Sequence, residues 1–299
     1  NHKETFVAIE SDKEASFAQV QVLFKDKEDA KPEVTLKDYR QSMVESLFSQ
    51  MINNRLDELR NSANPPFVYG FSYHGGTYAR SKEAYQSFAM TSESGQLNAL
   101  KTLLEENERV RKFGFYQGEF ERAKKDILAN YEKAYKDKDK TESNRIIGEF
   151  VSHYLEQVPM PGIEWEYNFQ KANMPGITLD EVNALIKEYI KEDNRVVVLT
   201  GPEKEGLTKV TEAEVRSLLE SVKNTELQPY EDKAVASSLI TDLPAKGSIV
   251  DYKTDEKLGT TTLTLSNGAT VTYKVTDFKN DEILFDAFSY GGNSLYSVD

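Results

Sequence analysis

Between residues 36 and 60 apolar positions return every three or four residues. Val44, Leu47, Phe48, Met51, Ile52, Leu56 and Leu59 form one stripe, with Arg55, Asp57, Glu58 and Arg60 largely outside it. This period predicts a long amphipathic helix. Asn64-Pro65-Pro66 stops it, because proline lacks an N–H and pushes the preceding residue out of the α region. Ahead of the helix, 5–9 and 17–24 read as strands, with Val20, Val22 and Phe24 on one face and Gln19 and Gln21 on the other. The charged segment 25–34, with Pro32, reads as a loop. After the helix, 67–73 and 85–91 form a second strand pair, and Gly75-Gly76 supplies the turn chemistry.

Four helical patterns follow. Residues 94–110 turn Leu97, Leu100, Leu103 and Leu104 inward, with Gly114 placed to cap the C-terminus. Residues 118–135 carry Phe120, Ala123, Ile127, Tyr131 and Ala134 on one side, and 136–140 is a charged, solvated connector. In 141–158, Ile147, Phe150, Val151, Tyr154 and Val158 point inward, and 163–173 holds the lone Trp165 as a core anchor. Thr178-Leu-Asp-Glu181 and Thr211-Glu-Ala-Glu214 are capping boxes opening two more helices. The first turns Leu179, Val182, Leu185 and Tyr189 inward and the second runs to Val222. Between them the β-branched run 195–200 is a short buried strand ended by Gly201-Pro202.

Beyond Val222 the pattern changes. Residues 224–259 lack periodicity and contain Pro229 and Pro244, the signature of a linker longer than loops inside compact domains. In 260–275, Ser266-Asn267-Gly268 sits between alternating segments, a hairpin signal resting on positive φ at the turn. Residues 282–290 read as another strand, followed by Gly291-Gly292. This tail is too small to bury a core alone. The expected organisation is an α+β unit over 1–223, a linker over 224–259, and the opening strands of a further unit over 260–299, with both ends of the chain cut from a longer protein. The fold class is α+β, a mainly antiparallel sheet with helices packed on one face.

Charge and cysteine content narrow the chemistry. A net charge of −13 over 299 residues argues against a phosphate-backbone binder, so no nucleic-acid partner is expected. No apolar run is long enough to span a bilayer. With no cysteine, disulfides, thiolate zinc sites and thiol catalysis are excluded. The histidines are His2, His74 and His153. His153-Tyr-Leu-Glu156-Gln157 matches H-x-x-E-H in its first and fourth letters but has Gln157 where the second zinc ligand belongs. A pairing of His153 with Glu149, one turn earlier, is the expected role. H-E-x-x-H, G-x-S-x-G, the P-loop and G-x-G-x-x-G are all absent. No catalytic, cofactor-binding or metal-ligating residue is assigned, and the 299-residue chain is expected to bind no stoichiometric zinc.

Several stretches together resemble the pitrilysin/insulysin family of zinc metallopeptidases, the inverzincins. They are Ser46-Leu-Phe-Ser-Gln-Met-Ile-Asn-Asn-Arg-Leu-Asp-Glu-Leu-Arg60 running into Asn64-Pro-Pro-Phe67; Phe120-Glu-Arg-Ala-Lys-Lys-Asp126 with Lys140-Thr-Glu142; Pro161-Gly-Ile-Glu164 with Pro175-Gly-Ile-Thr-Leu179; and Asp193-Asn-Arg-Val-Val-Val198 through Thr200-Gly-Pro202. Leu265-Ser-Asn-Gly268, Tyr273-Lys274, Thr276-Asp-Phe278 and Phe288-Ser289 extend the likeness into the tail. The resemblance implies repeats of one α+β unit, two halves closing like a clamshell on an unstructured peptide, and zinc on an H-x-x-E-H helix of the first repeat. On that basis the chain is the non-catalytic second repeat, the inter-half linker and the first strands of the third repeat. Its partners are then the remaining repeats and the peptide substrate, with zinc in the intact parent rather than here. The resemblance also implies a periplasmic or cell-envelope location. The alternative is a structural, assembly or peptide-binding subunit on the same fold without peptidase activity.

Overall fold

The computed structural model describes residues 1–232, 240, 242–295 and 297. They form two compact units, residues 1–131 with 144–234, and residues 132–143 with 235–299. The elements in order are β1 (Phe6–Asp12), β2 (Ala18–Lys25), α1 (Leu36–Arg60), β3 (Tyr69–Thr77), β4 (Ala79–Thr91), α2 (Gln96–Phe113), α3 (Gln117–Lys136), α4 (Ser143–Glu156), α5 (Ile163–Asn173), α6 (Leu179–Tyr189), β5 (Arg195–Pro202), α7 (Glu212–Asn224), β6 (Ile249–Asp255), β7 (Thr260–Leu265) and β8 (Thr270–Tyr273).

The first unit is built on a five-stranded sheet of order β1-β5-β2-β4-β3. Only β1 and β5 run parallel; the other pairs are antiparallel. Strand alternation sorts the side chains. Val20, Val22, Tyr85 and Ala89 are buried on one face with the α1 stripe of Met43, Val44, Leu47, Phe48, Met51, Ile52 and Leu56. Leu100 and Leu103 of α2, Phe120 and Ala123 of α3, and Val182 and Ile186 of α6 join the same core. This is the expected α+β architecture, with helices on one face of a mainly antiparallel sheet.

The N-caps follow the sequence. Thr35, Thr178 and Thr211 each close a capping box, with Asp38, Glu181 and Glu214 as reciprocal partners. The edge strand β3 is tied down by α1: Asn53 donates from Nδ2 to the Ser72 carbonyl (2.9 Å) and accepts from the Ser72 N–H (2.8 Å). An outward-facing pair of edge groups is thereby satisfied by a side chain, which blunts the edge. Arg40 of α1 reaches Glu181 of α6 at 2.7 Å.

The second unit holds an antiparallel sheet of order β6-β7-β8. Its β7–β8 connection is a three-residue loop: the Gly268 N–H donates to the Leu265 carbonyl (2.9 Å) and the Leu265 N–H to the Ala269 carbonyl (2.8 Å). Gly268 alone takes positive φ there, at 84°, so this is a turn closed by a left-handed glycine. Asn280 caps the end of α3: its Nδ2 donates to the Lys136 carbonyl (2.9 Å) and its N–H to Asp137 (2.8 Å).

Five expectations are corrected. Gly75-Gly76 lies within β3; the chain reverses at Tyr78, whose φ is 42°. The segment 224–259 is not all linker, because 249–255 is β6, a short edge strand whose Val250-Tyr252-Thr254 alternation is too brief to stand out. Residues 282–290 form no strand, having no neighbour to supply ladder bonds among the described residues. The apolar face of α4 is exposed, with Phe150 at 55% and Tyr154 at 84% accessible. Trp165 is 36% accessible, stacked on Phe169 and edge-on to Tyr39, rather than a core anchor.

These placements separate two phenylalanines of similar sequence context. Phe48→Ala is expected to cost about 3–5 kcal/mol in denaturant unfolding, and Phe150→Ala about 0.5 kcal/mol or less. Arg40 holds the Glu181 carboxyl down to about pKa 2. The lowered value means its stabilisation is present above pH 4.5 and is lost as pH falls toward 2. An NMR titration should therefore place the Glu181 midpoint near 2 in the native chain and nearer its ordinary value in Arg40→Met.

Candidate functional site

Three surfaces of the first unit carry polar or aromatic chemistry. The first is built around a buried arginine. Arg55 lies four residues from both Met51 and Leu59 on α1, so the helix places it on the apolar stripe rather than outside it. It is 2% exposed. Its Nε and Nη2 donate to the two oxygens of Glu119 on α3, both at 2.7 Å. Nη1 donates to Glu106 on α2 at 3.1 Å, and Nη2 also to the Gly114 carbonyl at 3.1 Å. Phe115 and Tyr230 cover the guanidinium, at 4.9 and 4.2 Å from their ring centroids. Glu119 further accepts from the Tyr116 N–H, and Glu106 from Arg109. Such a bidentate, fully hydrogen-bonded arrangement is what lets a charge stay buried.

Above it opens a cleft of about 600 Å³ lined by Asn54, Asp57, Glu58, Asn61, Arg122 and Tyr230, among others. The Tyr230 hydroxyl donates to Glu58 at 2.7 Å, and Arg122 pairs with Asp232. The segment around Tyr230 is thus strapped to α1 and α3. All four hydrogen bonds of Arg55 run inward, so the cleft floor is a structural ion network.

The second surface is the helix-free face of the sheet. Alternation puts Tyr69, Phe71 and Tyr73 of β3 on it, with Phe88 of β4 opposite Phe71 in register. Phe71 lies 5.6 Å from Tyr69, 5.7 Å from Tyr73 and 5.1 Å from Phe88, ring centre to ring centre. Gln21 and Gln86 are joined by a 2.8 Å hydrogen bond, and the Tyr78 hydroxyl donates to Gln21 at 2.7 Å. An aromatic ladder flanked by amides offers apolar contact and hydrogen bonding to a ligand lying across the strands.

The third gathers around His74. Its Nε2 is 2.9 Å from Asp26, and its Nδ1 3.8 Å from Glu45 of α1. Glu83 lies beside them on β4. Burial opposes the charge on the imidazole, but the hydrogen bond to Asp26 and the nearby Glu45 carboxylate prevail and raise its pKa to about 9. Burial raises the pKa of Glu83, His74 opposes this, and Asp26 and Glu45 add to it.

The other histidines stand apart. His2 stacks on Phe6, centroids 3.9 Å apart. His153, on exposed α4, has its Nδ1 2.8 Å from the Val158 carbonyl rather than pairing with Glu149. Gln157 has left the helix, with φ of 59°. His153-x-x-Glu156-Gln157 therefore does not fit the zinc helix that the family resemblance implies, since its fifth position is no longer on the helical face that a second ligand needs. Sequence reading passed over Arg55 and the His74 cluster. The first had a signal in its spacing from Met51 and Leu59. The second had none, because its members are joined only by strand pairing.

No family model matches the chain. It is 29% identical over 299 residues to a zinc protease PQQL-like protein of Arabidopsis thaliana, covering 98% of this chain and 28% of that protein. Among solved structures it is similar to the periplasmic protease PqqL from Escherichia coli, with TM-score 0.68 and 18% identity over 91% of this chain and 30% of that one. It also matches the first half of the same protease, at TM-score 0.68 and 16% identity over 77% of this chain and 49% of that one. A predicted insulinase family protease from Yersinia pestis gives TM-score 0.62 and 13% identity over 74% of this chain and 46% of that one. The fold is thus the α+β repeat of insulinase-like peptidases, and the resemblance to pitrilysin/insulysin enzymes read from the sequence is borne out. The chain spans less than a third of the relative it matches in sequence.

Truncating Arg55 leaves two buried carboxylates unpaired. Arg55→Ala is expected to cost about 3–5 kcal/mol, whereas Arg122→Ala, at a half-exposed pair, should cost about 1 kcal/mol or less; chemical denaturation of both variants measures the contrast.

Proposed function

We propose that this chain is a non-catalytic segment of a zinc-dependent peptidase, whose helix-free sheet face lines the path of an unstructured peptide. The observation that carries the reading is the similarity over 98% of the chain to a zinc protease PQQL-like protein, in a chain without H-x-x-E-H. Residues 1–223 are the second repeat of the first half, and the strands after it open the next repeat. The solved half-protease covers 77% of this chain while the whole protease covers 91%, which supports a boundary between halves falling inside it. Zinc and its water would act from another repeat of the parent, which this chain's residues are not built to ligate in that manner.

The chain's own contribution is to hold substrate. A peptide lying on the β3–β4 face would pack side chains against Phe71, Tyr73 and Phe88 and reach Gln21 with its backbone. The exposed apolar face of α4, Ile147, Phe150, Val151 and Tyr154, is the surface offered to the remaining repeats. No helix among the described residues is long and apolar enough to cross a membrane, and the periplasmic neighbour supports a periplasmic setting.

A quenched fluorescent peptide tests the reading. The parent is expected to cleave it with zinc bound, and the 299-residue chain to leave it intact. In the parent, Phe71→Ala with Phe88→Ala should raise KM about tenfold with kcat little changed, the signature of lost uniform binding. A parent without zinc-dependent cleavage would move the function to a structural or assembly subunit on the same fold.

A further inference from the structure

We infer that Asp26, His74 and Glu83 form a binding site for one divalent first-row transition-metal ion, distinct from any catalytic zinc of the parent. The three come from the ends of adjacent strands. Asp26 follows β2, His74 is on β3, and Glu83 is on β4 between them. Strand register sets them together: His74 pairs with Tyr85, Gly76 with Glu83, and the Asp26 N–H donates to the Glu83 carbonyl at 3.0 Å. One ligand atom from each lies within 4.8 Å of the other two. Around zinc, with bonds of about 2.0–2.2 Å, such atoms sit roughly 3.3 Å apart, so small side-chain rotations close the site.

The donor set fits the chemistry. One imidazole and two carboxylates suit a borderline ion such as Zn²⁺ or Mn²⁺ and leave coordination positions for water. The outer groups fit as well. Nε2 of His74 faces Asp26, while Nδ1 faces Glu45 at 3.8 Å. A ligating histidine is ordinarily held in this way, its second nitrogen directed at a carboxylate that fixes the tautomer. The site would therefore be ligated through Nε2 and oriented through Glu45.

A second observation points to a ligand independently. Tyr189 is 5% exposed and lies flat on the His74 ring, centroids 4.6 Å apart and planes 10° from parallel. Its hydroxyl is buried without a hydrogen-bond partner among the described residues. A buried polar atom with no partner is destabilising, and a water on a bound ion would supply one.

Zinc chloride titrated into the 299-residue chain, stripped with chelator and followed by calorimetry and elemental analysis after gel filtration, tests the site. One Zn²⁺ per chain is expected, against the absence of stoichiometric zinc read from the sequence, with a chelator-reversible rise in Tm. His74→Gln and Glu83→Gln should each weaken binding at least tenfold, and His153→Gln should leave it unchanged. Glu83 is half-exposed, so Glu83→Gln keeps the test sound if His74→Gln fails to fold. Absence of binding at millimolar Zn²⁺, or binding that Glu83→Gln does not alter, overturns the site; the second outcome would mark adventitious capture by an acidic surface.

Discussion

The first unit depends on one buried cation. Arg55 projects from the middle of the apolar stripe of α1 and is the point where α1, α2 and α3 meet, through Glu106 and Glu119. Hydrophobic residues of similar volume in place of all three, Arg55, Glu106 and Glu119, could fill the space with little loss of stability. What the ion network adds is direction. Its fork donates to both carboxylate oxygens of Glu119 and to one carbonyl, that of Gly114, at the turn between α2 and α3. The helices can pack around it in one register only, and Gly114, at φ of 69°, makes the turn that brings Glu119 into reach.

From that fixed helical layer the sheet acquires two unlike faces. The covered face is aliphatic except where Tyr85, Asn107, Ser72 and Ser87 close a hydrogen-bonded chain within it. The open face carries aromatic rings and glutamines instead. Where the covered face runs out, at the ends of β2, β3 and β4, the apolar layer gives way to Asp26, His74, Glu83 and Glu45. The chain thus grades from dry core to a charged rim within two residues of strand, and the open aromatic face and the proposed ion site lie on opposite sides of the same three strands.

Much of this was legible from periodicity. The α1 stripe, the two Thr-Glu capping boxes on α6 and α7, the Gly114 cap and the Val20-Val22-Phe24 face all follow from spacing and local chemistry, because their causes are local. The misread elements had non-local causes. Alternation of Ile147, Phe150, Val151 and Tyr154 defines a face of α4 but not what covers it. A pair of glycines permits a turn without requiring one, and the register of β3 on β4 carried the reversal on to Tyr78. The rim cluster could not be seen in sequence at all: Asp26 and His74 are neighbours only because β4 lies between their strands.

The parallel pairing of β1 with β5 sets the order in which the protein can be made. Phe6 lies opposite Val196, and β5 stands between β1 and the rest of the sheet. The first strand of this unit to be synthesised therefore has no place in the sheet until nearly the last element of the unit has followed. At about 5–20 residues per second, β1 waits on the order of ten to forty seconds as an unpaired, partly apolar segment, while β2, α1, β3 and β4 can already assemble beside it.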